Sequence, residues 1–202
     1  MSESRPTREA YYRVLADCVS AETLVVTSLG NASYVWSNVC DRPENFYLED
    51  AMGLALPLAL GLAVAQPEKR VVAVEGDGGM MMHLGTLITV GSVGPSNLTV
   101  LLVNNNIHAA SGGQPLTNTE LDLAALARSA GIGSSEKVDS IETFRTLLRS
   151  ALTGEGPSFL VLPTEPDIPP VKPAFPMNPP MMKQRFMDAI GAPRYVPAMF
   201  RA

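Results

Sequence analysis

Four short apolar runs punctuate the first 162 residues: 23–28 (TLVVTS), 70–75 (RVVAVE), 98–103 (LTVLLV) and 158–162 (SFLVL). Each is nearly continuous rather than alternating, the pattern of strands whose two faces are both covered by helices. Helix-length stretches lie between and around them, at roughly 6–19, 52–65, 80–92, 119–130 and 140–152. The last is the best marked: Asp139 or Ser140 can cap its start, and Gly154 follows its end. Strands separated by helices imply βαβ units, hence an α/β fold with a doubly wound, mainly parallel sheet and helices on both faces.

The pattern changes after residue 162, which divides a domain over 1–162 from an arm over 163–202. Residues 163–180 hold eight prolines, too many φ-locked residues without N–H donors for a core sheet. One short helix fits at 181–190, and the rest reads as extended. Met177, Met181, Met182, Phe186, Met187, Met199 and Phe200 are costly to leave in water, so an arm packed on a partner is expected ahead of a disordered tail. The longest apolar run, 51–65 (AMGLALPLALGLAVA), is shorter than the roughly 20 residues a bilayer crossing requires and reads as a buried helix.

Composition narrows the function. Hydrophobic residues make up 46% and charged residues 17% of the 202, enough for a sizeable core. A net charge of −5 argues against an electrostatic nucleic-acid footprint. Two cysteines, Cys18 and Cys40, are too few for a disulfide scaffold, an iron–sulfur cluster or a Cys-based zinc site. No secretion signal opens the chain, and a reducing cytoplasm is the expected location.

Two strand ends carry the candidate chemistry. One strand runs into Gly76-Asp77-Gly78-Gly79 and a helix beginning near Met80; the other runs into Asn104-Asn105-Asn106. In an open α/β sheet, ligands bind beyond the carboxyl ends of strands. Glycines permit close backbone approach, and amides at a helix start favour an anion such as a diphosphate. Asp77 adds an anionic oxygen and Asn105 a neutral one; with diphosphate oxygens they make the hard octahedral set that Mg²⁺ prefers. Neither a GxGxxG nor a GxxxxGK[ST] motif stands at a strand end, which disfavours a plain nucleotide-binding domain.

GDG at 76–78, then 25 residues, then the asparagine run resembles the fingerprint of thiamine diphosphate enzymes. That resemblance implies that Asp77, Asn105 and the carbonyl of Ile107 hold Mg²⁺, while Gly76 and the amides of Gly78 and Gly79 face the diphosphate. Segment 50–57 (DAMGLALP) resembles the part that grips the aminopyrimidine, with Met52 as the wedge and the Asp50 carbonyl as an acceptor. Further matches are DRPENFY at 41–47, LG at 84–85, His108, GGQP at 112–115 and KQRFM at 183–187. Together they are most similar to sulfopyruvate decarboxylase β subunits and the C-terminal half of phosphonopyruvate decarboxylases. The same resemblance makes Ser33 and Ser111 cofactor contacts, Gln114 a further candidate and His108 the acid/base, the alternative being a structural hydrogen bond. His83 reads as structural. Relatives carry arginine where Tyr34 stands, which points toward a less anionic 2-oxo acid.

The resemblance also implies half an active site. Thiamine diphosphate enzymes ionise C2 through a glutamate on a separate pyrimidine-binding domain, and this chain is too short to hold one. Glu49 and Glu75 are the nearest acids; Glu75 reads as orienting the loop and Glu49 as an exposed neighbour. The expected protein is therefore a decarboxylase subunit acting on a 2-oxo acid with a separate pyrimidine-binding subunit. A carboligase subunit and a catalytically silent cofactor-binding or assembly subunit are the alternatives.

Overall fold

The computed structural model describes residues 5–166, 171–175 and 177–192. In chain order the elements are α1 (Arg8–Cys18), β1 (Leu24–Thr27), α2 (Asn31–Cys40), β2 (Asn45–Tyr47), α3 (Ala55–Ala65), β3 (Val71–Gly76), α4 (Asp77–Met82) and α5 (Gly85–Val93). Then follow β4 (Leu98–Asn104), β5 (Ile107–His108), β6 (Gln114–Pro115), α6 (Leu123–Ser129), β7 (Ser134–Lys137), α7 (Ile141–Thr153), β8 (Ser158–Pro163) and α8 (Pro179–Ala189). Six strands form one parallel sheet in the order β2-β1-β3-β4-β8-β7, and β5 pairs with β6 as a small antiparallel hairpin.

The near-continuous apolar runs become the four inner strands, whose successive side chains feed two cores. Leu24, Val26, Val71, Ala73, Val100, Leu102, Phe159 and Val161 face α3, α5 and α6. Val25, Val72, Val74, Leu101, Val103, Leu160 and Leu162 face α1, α2 and α7. Aromatic edges fix the second core: Tyr11 meets Phe144 at 5.2 Å and Tyr12 meets Trp36 at 5.8 Å, both T-shaped. The fold is the doubly wound α/β sheet that the pattern implies.

The connection from β1 runs outward to β2, and the chain then returns to lay β3 on the other side of β1. That reversal makes the carboxyl ends of β1 and β3 the topological switch point, where such sheets open a crevice.

Several elements differ from the sequence pattern. The edge strands β2 and β7 are three and four residues long, and β7 (SSEK) has no apolar residue to announce it. Helix α2 (NASYVWSNVC) is built from poor helix formers behind Gly30, at φ +69° and without a side-chain cap. The stretch 80–92 is two helices, broken at His83 and Leu84, and the first begins at Asp77 rather than Met80. Helix α3 begins at Ala55 because Gly53, at φ +71°, turns the chain ahead of it. Its apolar surface is only half covered: Leu56, Ala59 and Ala63 are buried, whereas Val64 is 59% exposed. Ser140, not Asp139, caps α7 through the amide of Thr143.

The arm also departs from expectation. Met182 and Phe186 of α8 are buried by their own chain, Phe186 against Phe46 at 5.2 Å. Arg185 binds both oxygens of Asp41, at 2.9 and 2.7 Å. Met181 remains 70% exposed, and Met199 and Phe200 lie outside the described residues.

Candidate cofactor site

Asp77 closes the gap between two strand tips. Its Oδ1 accepts from the amide of Gly78 at 2.8 Å, and its Oδ2 accepts from the amide of Asn106 at 2.6 Å. The second bond needs the end of β4 to turn back, and Asn106 does so at φ +62°, a left-handed conformation that asparagine tolerates. Asn105 Oδ1 accepts from the amide of Ile107 at 3.1 Å, holding the next turn of the same loop. Asp77 and Asn105 are both buried. Burial pushes the Asp77 carboxyl up, while the amides of Asn106 and Gly78 and the Arg8 cation pull it back.

The glycines keep the floor of the site low. A Cβ on Gly78 would fall 2.7 Å from Nδ1 and Cε1 of His108, so the imidazole stands directly over that backbone. His108 is held there by the hairpin, opposite Gln114, with Gly112 and Gly113 at φ +120° and +79° making the turn. Glu75, fully buried behind the loop, accepts from the amides of Gly76 at 3.0 Å and Ala55 at 3.1 Å. Burial raises its carboxyl as well, opposed by the Ser28 hydroxyl and by the amides of Gly76, Ala55 and Leu56.

One cleft collects most of the residues singled out from the sequence: Met52, Gly76, Asp77, Gly78, Gly79, Asn105, Ile107, His108 and Ser111. Ser33 is not among them. Its hydroxyl is fully buried and engaged with the Ser28 carbonyl and Thr27 Oγ1, both at 2.8 Å, so the structure does not bring it to the cleft. Asp50 sits exposed in the turn ahead of Met52, and Glu49 is half-buried rather than exposed; neither lines the cleft. Gln114 is exposed and reciprocally bonded to Ser111, each bond 3.0 Å. His83 lies on the surface with its ring edge against Gly53, and Tyr34 also lies off the cleft.

Arg8 was not legible as a site residue. It opens α1, is 6% exposed, lines the cleft with Ser28, Leu29 and Asn31, and bonds Tyr12 Oη at 3.4 Å. Only the packing of α1 beneath the switch point brings it there, and no local signal marks it.

These residues fit the group the fingerprint implies. Asp77, Asn105 and Ile107 all line the cleft, and a carboxylate, a side-chain amide oxygen and a main-chain carbonyl are the hard oxygen donors that Mg²⁺ takes. Among the described residues no group of three or more His, Cys, Asp or Glu is placed to hold a metal ion. Gly78 and Gly79 line the cleft, the Gly78 amide already donated to Asp77 Oδ1 and the His108 ring standing over it.

Residues 29–162 match the family described as "Thiamine pyrophosphate enzyme, C-terminal TPP binding domain", and the chain belongs to it. It is 37% identical over 166 residues to a phosphonopyruvate decarboxylase of Streptomyces hygroscopicus, covering 82% of this chain and 41% of that one. It is 33% identical over 184 residues to the sulfopyruvate decarboxylase β subunit of Methanococcus maripaludis, covering 91% of this chain and 97% of that subunit. The chain thus spans less than half the length of the phosphonopyruvate decarboxylase and nearly all of the β subunit. Among solved structures, benzoylformate decarboxylase from Polynucleobacter necessarius shares the fold, with a TM-score of 0.68 at 21% identity over 82% of this chain and 34% of that one. Among the described residues no helix is long and apolar enough to cross a membrane.

Proposed function

We propose that this chain is the diphosphate- and Mg²⁺-binding subunit of a thiamine diphosphate-dependent decarboxylase acting on a 2-oxo acid. The observation that carries the reading is the Asp77–Asn106 bond, which places an acidic oxygen and the asparagine loop around one point of the cleft. The relatives' names give the reaction class, and their β-subunit form favours a partner subunit.

Bound thiamine diphosphate supplies a C2 carbanion and the electron sink for loss of CO₂. Asp77, Asn105 and the carbonyl of Ile107 hold Mg²⁺. The Gly78–Gly79 backbone forms the floor on which the diphosphate would lie, and Met52, 39% exposed at the rim, would prop the aminopyrimidine. His108, over Gly78 and lining the cleft, would hold or deliver a proton on a ring nitrogen. Arg8, the cation on the cleft wall, favours an anionic ligand.

Glu75 and Asp77 are the acidic side chains that line the cleft, and both are engaged by backbone amides. The β-subunit relatives favour a separate pyrimidine-binding subunit as the source of the activating glutamate. Apolar side chains left exposed near the cleft and on the following helix, Met52, Leu54, Met82 and Ile88, suit such a partner. Free Cys18 and Cys40 accord with a reducing cytoplasm.

The test is reconstitution. The purified chain is mixed with the product of a neighbouring gene carrying the pyrimidine domain, and CO₂ release is followed with sulfopyruvate, phosphonopyruvate and simpler 2-oxo acids. Turnover only in the mixture is the expected result. Full activity of the chain alone overturns the partner assignment, and a carboligated product in place of the free aldehyde overturns the decarboxylase assignment in favour of a carboligase, since both reactions release CO₂.

A further inference from the structure

The structure leaves Glu75 as a buried acid with no place in the chemistry above. It is fully buried, and a buried carboxylate is expensive unless its hydrogen bonds are needed. Those bonds join two segments that are far apart in sequence. Oε1 accepts from Gly76, the first residue of the diphosphate loop, and Oε2 accepts from Ala55, the first residue of α3 and three positions beyond Met52. The amino end of α3 also favours negative charge.

The backbones of the same two segments touch. A Cβ on Gly53 would lie 2.4 Å from the carbonyl oxygen of Gly79 and 2.5 Å from His83 Cδ2. A Cβ on Gly79 would lie 2.6 Å from Glu75 Oε1 and 3.1 Å from the Gly53 nitrogen. The Glu75 carboxylate is the end of a flexible side chain, but it can retreat from a residue at 79 only by giving up its bonds to Gly76 and Ala55. Glu75, Gly79 and Gly53 are therefore interdependent, and each protects the same close approach.

We propose, resting on the reading that the cleft takes thiamine diphosphate, that Glu75 is a positioning residue: it locks the Met52 segment onto the diphosphate loop and so sets the distance between the two ends of the cofactor site. A smaller apolar residue could fill the space, but it would take this acceptor from the amides of Gly76, Ala55 and Leu56 and from the Ser28 hydroxyl, leaving the two segments free to separate.

Amide hydrogen exchange of the full chain without cofactor, and calorimetry with thiamine diphosphate and Mg²⁺, test the lock on Glu75→Ala, Glu75→Gln, Gly79→Ser and the double variant E75A/G79S. Glu75→Ala speeds exchange at both Ala55 and Gly76 by about tenfold or more while α6 and α7 keep their protection. Glu75→Gln, which retains one acceptor oxygen, restores protection at one of the two. Gly79→Ser weakens cofactor binding about tenfold or more with Glu75 present, and much less when combined with Glu75→Ala, because the pair is coupled. Unchanged exchange at Ala55 in Glu75→Ala, or strictly additive effects in the cycle, overturns the lock. Wild-type chain that shows the exchange coupling but binds no thiamine diphosphate, with or without a partner subunit, overturns the cofactor reading instead.

Discussion

The carboxylate of Asp77 accepts a hydrogen bond from the backbone amide of Asn106 at 2.6 Å, joining residues 29 positions apart at the tips of two adjacent strands. Because Gly76 pairs with Val103 in the β3–β4 register, the two tips leave the sheet at the same level. The spacing between GDG and the asparagine run is thus the length needed to make α4 and α5 and return through β4 beside β3.

Replacing Asp77 separates its two roles. Asp77→Asn keeps the size of the side chain but turns an N–H₂ toward an amide that needs an acceptor. Mg²⁺-dependent binding of thiamine diphosphate is expected to fall by about 10²-fold, as for loss of a metal ligand or its support. Calorimetry with and without a chelator measures it. Retained Mg²⁺ dependence in the variant counts against Asp77 as a ligand.

His108 and Gly78 are predicted to be non-additive. His108→Ala lowers turnover of the reconstituted enzyme by about 10²-fold or more if the imidazole transfers protons. Gly78→Ala puts a methyl group 2.7 Å from Nδ1 and Cε1 of that ring and displaces it. The double variant is then little worse than either single one, as a double-mutant cycle in kcat reads directly. An unchanged rate in His108→Ala removes the residue from acid–base work.

Much of this was legible in sequence. The four inner strands announced themselves because both of their faces are buried, and the glycine- and asparagine-rich strand ends did so because their residue types and spacing are restricted. Residues whose role arises in tertiary contact did not. Arg8 reads locally as one more charge in a helix capped by Thr7. Ser33 matched by position, yet its hydroxyl is spent within the turn after β1. The edge strand β7 has no apolar signal, because an edge needs none.

Glycine positions supply a stability prediction free of the site. Gly91→Ala would drive its methyl to 1.9 Å from the carbonyl oxygen of Ala130, backbone against backbone where α5 meets the end of α6. A loss of about 2–4 kcal/mol is expected. Gly61→Ala, in the middle of α3 with nothing within 4 Å, should instead stabilise the protein by roughly 0.5–1 kcal/mol. Thermal melts of the two variants check the contrast.

Two phenols predict the alkaline limit. Burial pushes Tyr11 up to about 12, and burial pushes Tyr47 higher still, with Asp41 adding to it. Raised folded values mean that the neutral phenols favour the native state. Their contribution is complete below the ordinary phenol value of about 10 and is lost as pH rises through the folded values. Tyr11→Phe gives up the bond to the Pro163 carbonyl, worth about 1 kcal/mol, but also softens the alkaline decline. Urea midpoints across the alkaline range should show a shallower slope for the variant. An identical slope would place the loss elsewhere.

The most direct test is a crystal of the protein grown with thiamine diphosphate and Mn²⁺ in place of Mg²⁺, read by anomalous diffraction. The expected map has one strong peak within roughly 2.3 Å of oxygens from Asp77, Asn105 and the Ile107 carbonyl, bridged to the diphosphate above Gly78 and Gly79. A cofactor bound away from these residues, or a metal peak that leaves Asp77 and Asn105 uncoordinated, would contradict the account.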